Sequence, residues 1–69
     1  MVIVDFIDRF ISIEEGFTLN QVSREDTINA FQDLYKDYPL YNTEQERKIH
    51  TYYRRKIANY LMVLIPFSR

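Results

Sequence analysis

Few residues in this chain have the types that chemistry requires. Two pairs of neighbouring carboxylates, Glu14–Glu15 and Glu25–Asp26, have the acid–base capacity of a proton-transfer site. Their spacing does not suit that work. Adjacent helical positions diverge by about 100°, and acids in a first turn serve solvation and the helix dipole. His50 is the only histidine and cysteine is absent, which leaves no ligand set for a zinc site within one chain and no disulfide. Ser12, Ser23 and Ser68 have no histidine beside them in sequence, and a single glycine, Gly16, makes no phosphate-cradling loop. So short a chain also has little volume with which to wall off a dry pocket. We assign no catalytic, cofactor-binding or metal-binding residue, and expect no cofactor and no enzymatic activity.

The second group with chemical capacity is basic. Arg47, Lys48, Arg54 and Arg55 lie within one stretch, ERKIHTYYRRK. They can meet phosphates along one helix face, with Tyr52 or Tyr53 at its margin. The pI near 5.7 speaks against a general nucleic-acid binder. A helix-turn-helix arrangement, TLNQV then SRE then residues 26–37, puts Asp26, Asp33 and Asp37 on the helix that would read DNA, and acids facing phosphate repel. Residues 1–37 hold eight acids and three bases, and residues 38–69 hold two acids and six bases. Either the halves complement each other, in the fold or in a dimer, or the basic half faces an acidic partner.

The elements that must carry these residues are helical. With 69 residues, one domain spanning 1–69 is expected, with a small core that covers only roughly 60% of the unfolded surface. Ile3, Phe6, Ile7 and Phe10 follow helical spacing, and Gly16 sits where a helix would stop. The β-branched residues around them favour a strand, but strict alternation fails at Phe6–Ile7 and Phe10–Ile11. Thr18 with Gln21, Ser23 with Asp26 and Thr43 with Glu46 are capping boxes of rising quality. Pro39 and Pro66 are stops, and the short Pro39–Asn42 connection implies antiparallel neighbours. The pattern predicts an all-α bundle of three helices, at 2–15, 24–37 and 44–65. On a wheel centred at Ile49, the apolar stripe of the last helix takes in Tyr52, Tyr53, Ile57, Tyr60, Val63 and Leu64. Lys56 falls inside it and must snorkel. The apolar run Tyr60–Phe67 is far short of the ~20 residues that cross a bilayer, so no membrane span is expected, and the chain reads as cytoplasmic.

The segment SREDTINAFQDLYKDYP loosely resembles the second helix of J-domain co-chaperones, with an Ala–Phe pair ahead of a Lys–Tyr stretch and a loop. Where that family carries His-Pro-Asp, this chain has Tyr38-Pro39-Leu40. The motif that carries the activity is missing, and the family is not assigned.

Met62 and Ile65 fall on the arginine side of the last helix and are expected to be exposed unless the first helix, Phe67 or a partner covers them. Tyr41 and Leu40, with Tyr38 and Pro39, offer an aromatic anchor in the loop; alternatively Tyr38 and Leu40 close the bottom of the core. The reading is a small non-enzymatic regulatory or adaptor protein that binds another protein through Met62, Ile65, Tyr41 and Leu40, and that self-associates. The alternative partner is nucleic acid, met by Arg47, Lys48, Arg54 and Arg55.

Overall fold

The computed structural model describes residues 1–65. The stop expected at Pro66 and the cover expected from Phe67 lie outside the described residues. Three helices, α1 (Ile3–Thr18), α2 (Arg24–Lys36) and α3 (Glu44–Leu64), form the expected all-α bundle with the longest helix last. Among the described residues no strand forms. Extended pairing is limited to one bridge between Val2 and Leu40, where the Leu40 N–H donates to the Met1 carbonyl at 2.7 Å. That bond ties the entrance of α1 to the α2–α3 connection. α1 and α3 therefore start at the same end and run parallel, with α2 antiparallel to both.

α1 is helical because its apolar residues keep helical spacing: Ile3, Phe6 and Phe10 are buried along one line. Gly16 does not stop it, contrary to the sequence expectation. The helix continues to Thr18, which starts no new turn, and ends in a Schellman motif. Asn20 takes the left-handed conformation at φ 58°, its N–H donates to the Phe17 carbonyl at 3.1 Å, and the Gln21 N–H donates to the Gly16 carbonyl at 2.9 Å. Gly16 is glycine for another reason. A Cβ there would lie 2.9 Å from Val22 Cγ2, so the returning loop packs directly on the helix backbone.

The two later caps form as their sequence signals require. Ser23 Oγ accepts from the Asp26 N–H at 3.1 Å and Thr43 Oγ1 accepts from the Glu46 N–H at 3.1 Å. Glu46 reaches back one residue further than a standard box, accepting from the Asn42 N–H at 2.8 Å. Thr27 is fully buried because its hydroxyl donates to the Ser23 carbonyl at 2.8 Å, leaving no orphan donor. α2 ends one residue early: Asp37 is extended, and its carboxylate meets Arg9 at 2.9 Å. Ile65, ahead of Pro66, is extended at ψ 112°, as a following proline demands.

The core is small and aromatic. Phe10 touches Phe31 of α2 at 5.7 Å between ring centroids and Tyr53 and Tyr60 of α3 at 5.3 and 6.1 Å. Phe31 in turn stacks on Tyr60 at 5.0 Å. The buried line of α3 is His50, Ile57 and Leu64, three residues at seven-residue spacing. It is rotated from the stripe centred on Ile49, because α3 packs more closely on α2 than on α1. Two stripe members are thereby displaced outward: Tyr52 is 57% exposed and Val63 77%. Tyr38 and Leu40 do not close the core either, at 63% and 72% exposed; Pro39 between them is the buried residue.

The Gly16–Val22 contact gives a double-variant test. Gly16→Ala alone should bring no net gain, because the helix-propensity benefit of about 1 kcal/mol is offset by displacing Val22. In a Val22→Ala background the same change should stabilise by about 1 kcal/mol. Urea denaturation of the four proteins measures this; equal effects in both backgrounds would show that Val22 is not the constraint.

Candidate functional site

The four bases of α3 separate into different roles. Arg47 forms an ion pair with Glu44 one turn earlier, which holds the Glu44 carboxyl below its usual range through the hydrogen bond between them. Arg54 turns inward and is half-buried. Its guanidinium lies 4.0 Å from the centroid of the Tyr35 ring and 4.7 Å from that of Tyr38, and Nη2 donates to the Tyr35 carbonyl at 3.4 Å. Lys48 and Arg55 remain exposed and stand outside the ion pairs found among the described residues. They lie seven residues apart on one ridge, and Met62 follows seven further on. The basic set read from the sequence is thus brought together only in part, as Lys48 and Arg55.

The loop residues surround His50. Its imidazole is 3% exposed, edge-on to Phe6 at 4.8 Å, with Tyr38 at 5.5 Å and Tyr41 at 5.6 Å over it. Its Nε2 is buried without a hydrogen-bond partner. Burial, and then the charge of Arg54, push its pKa below the ordinary value of 6.5. The histidine is a neutral packing element. Among the described residues no group of three His, Cys, Asp or Glu side chains is placed to hold a metal ion. Tyr41, half shielded at 37% exposure, packs on His50, whereas the Leu40 side chain beside it is free.

Met62 and Ile65 are 68% and 39% exposed. They stand at the far end of α3 from Leu40 and Tyr41, about 28 Å away along the helix. The four residues read as one binding set therefore form two separate ends.

Between those ends lies a surface that sequence reasoning missed. The seam where α1 and α3 meet is open, with two largely apolar grooves along it. One, of about 290 Å³, is lined by Phe17, Lys56, Asn59, Tyr60, Val63 and Leu64. The other, of about 440 Å³, lies towards the α3 start between Ile7 and the Lys48–Tyr53 turn. Lys56 crosses between them, its ammonium 5.8 Å from the Phe10 ring centroid and 5.4 Å from that of Tyr52, the snorkelling its place in the stripe requires. Tyr60 donates to the Glu14 carboxylate across the seam, which raises the phenol pKa to about 12. Val4 and Ile11, also seven apart, flank the seam at 59% and 41% exposed. The available signal was the seven-residue spacing of His50, Ile57 and Leu64, which turns Tyr52, Lys56 and Val63 towards the seam.

No protein-family model, curated protein or solved structure matches the chain.

Two measurements check these roles. A histidine whose folded pKa is lowered disfavours folding once the unfolded chain takes up its proton. Stability should therefore fall as pH drops below 6.5. His50→Phe keeps a ring against Phe6 and should remove that part of the fall between pH 7 and 5.5 in thermal melts; an unchanged pH profile would refute the buried neutral imidazole. Arg54→Ala should cost about 1–2 kcal/mol through loss of its two ring contacts, against about 0.5 kcal/mol or less for Arg55→Ala. Chemical denaturation distinguishes the pair, and equal costs would contradict the inward placement of Arg54.

Proposed function

We propose that this chain is a small non-enzymatic regulatory or adaptor protein that acts by binding protein and that self-associates. The observation that carries the reading is the open, apolar α1–α3 seam, where Val4, Ile11, Tyr52 and Val63 are each more than 40% exposed. Contiguous apolar surface of this kind on a small domain marks a contact site, and tyrosine and arginine are common at its energetic centres. Burying part of that surface against a partner also supplements a core too small to be generous. A cytoplasmic setting suits the cysteine-free composition. No helix among the described residues is long and apolar enough to cross a membrane.

The exposed line of Lys48 and Arg55 favours nucleic acid as the second reading, with Arg47 and Arg54 contributing less because each is already engaged. The two readings differ in salt dependence. Protein binding through the seam predicts a mass above that of the 8.4 kDa chain by light scattering, growing with concentration and only modestly sensitive to salt. Nucleic-acid binding predicts duplex affinity that falls steeply with salt and is lost in Lys48→Ala with Arg55→Ala. Monomeric mass at every concentration together with salt-sensitive duplex binding would replace the first reading by the second.

A further inference from the structure

We propose that the groove between α2 and α3 is an anion site, and that its ligand is a phosphate monoester group. The groove holds about 290 Å³ and is lined by Tyr35, Thr51, Arg54, Arg55 and Ala58. It lies on the other flank of α3 from the apolar seam, so it does not depend on what occupies the seam.

The observation that carries the proposal is a half-buried arginine without a carboxylate. Arg54 is drawn partly out of solvent, and a cation removed from water is ordinarily matched by an acid. Its partners here are the faces of two rings, Tyr35 at 4.0 Å and Tyr38 at 4.7 Å, and one carbonyl at the long distance of 3.4 Å. Its Nε has no partner at all. These contacts hold the guanidinium in place and leave its charge without a full counter-charge. Arg55, the next residue, is exposed and lines the same groove. Neither arginine belongs to an ion pair among the described residues.

The fold offers no acid to this groove. Asp37 is engaged by Arg9, Glu44 by Arg47, and Glu46 by the Asn42 N–H. Asp33 lines the groove between α1 and α2, on the other side of α2. The α2–α3 groove therefore has two cationic side chains in its lining and no carboxylate. A counter-ion for it comes from outside the chain.

A phosphate monoester fits that demand better than a carboxylate. Two guanidinium groups balance two negative charges, which a phosphate monoester approaches above its second pKa of about 6. A guanidinium also meets phosphate oxygens with paired N–H donors. Arg54 is already fixed by its two rings, so little side-chain freedom is lost when it binds. A nucleic-acid backbone needs a longer row of bases. The next exposed base on the ridge, Lys48, lines a groove of the α1–α3 seam instead, which suits this groove to a single anion.

Amide-resolved NMR titration of the full chain tests the site, with inorganic phosphate and O-phosphoserine as probes at constant ionic strength and about pH 7.5. Two charged hydrogen-bonding partners give an expected Kd of about 1 mM. Saturable shifts should centre on the amides of Tyr35, Arg54, Arg55 and Ala58. Arg55→Ala should raise the Kd about tenfold, and so should Arg54→Lys, which keeps the charge and loses the planar fork. Lys48→Ala removes the same charge as Arg55→Ala and should leave the Kd unchanged. Far-UV circular dichroism confirms folding of each variant. A short peptide carrying phosphoserine separates the sources of the group. Binding about tenfold tighter than O-phosphoserine assigns it to a phosphorylated protein side chain, and equal binding assigns it to a free phosphate monoester. Shifts that do not saturate by about ten times the expected Kd would overturn the site. Equal weakening by Lys48→Ala and Arg55→Ala would overturn it too, since the anion would then follow the basic ridge as a whole, as nucleic acid would. Acetate bound as tightly as phosphate would overturn the choice of ligand.

Discussion

The contact on which the structure depends is the aromatic node around Phe10. It is where all three helices meet, with Phe31 on α2 and Tyr53 and Tyr60 on α3. Each fully buried phenylalanine supplies about 1.5–3 kcal/mol, and favourable ring pairs add about 0.5–1.5 kcal/mol. In a core whose buried apolar cluster is Phe6, Phe10, Phe31, Leu34, Ile57 and Leu64, those rings hold a large share of the buried surface. The node also sets directions. Tyr60 stacks on Phe31 with 20° between the ring planes and donates its hydroxyl to Glu14 at the seam. The stacking and the hydrogen bond fix how α3 is turned about its axis.

That rotation explains why polar residues occupy positions a larger protein would give to aliphatic ones. With His50, Ile57 and Leu64 as the buried line of α3, the histidine fills the space between Phe6 and the loop tyrosines. Arg54, one turn on, sets its guanidinium over the rings of Tyr35 and Tyr38. Both use a planar polar group as packing surface, and both leave a buried nitrogen without a partner, His50 Nε2 and Arg54 Nε. Each orphan carries a desolvation cost. The structure tolerates it at the rim of the core, where ring contacts hold the groups in place.

The local grammar of the chain was largely legible. Ser23 and Thr43 cap as their spacing to Asp26 and Glu46 requires, and the helical period of Ile3, Phe6 and Phe10 overrode their β-branched neighbours. The misreadings share one cause, a local signal answered by a non-local demand. Gly16 looks like a stop, but the approach of Val22 requires it, and Asn20 supplies the left-handed residue instead. Ile49 looks like the centre of α3, but the closer packing on α2 moves the centre to His50 and Ile57. Arg54 and Arg55 are indistinguishable as neighbours in sequence, yet 100° on the wheel puts one under two tyrosines and leaves the other in water.

The same rotation links the stability of the chain to its open seam. Had α3 turned so that Tyr52, Lys56 and Val63 met α1, the seam would be closed. By turning towards α2, α3 places His50 and Leu64 in the core and leaves Val63 and Tyr52 beside Val4 and Ile11. The apolar area exposed at the seam is therefore the counterpart of the aromatic node. Strengthening the core by drawing α3 onto α1 would cover the apolar surface that the two grooves of the seam leave open.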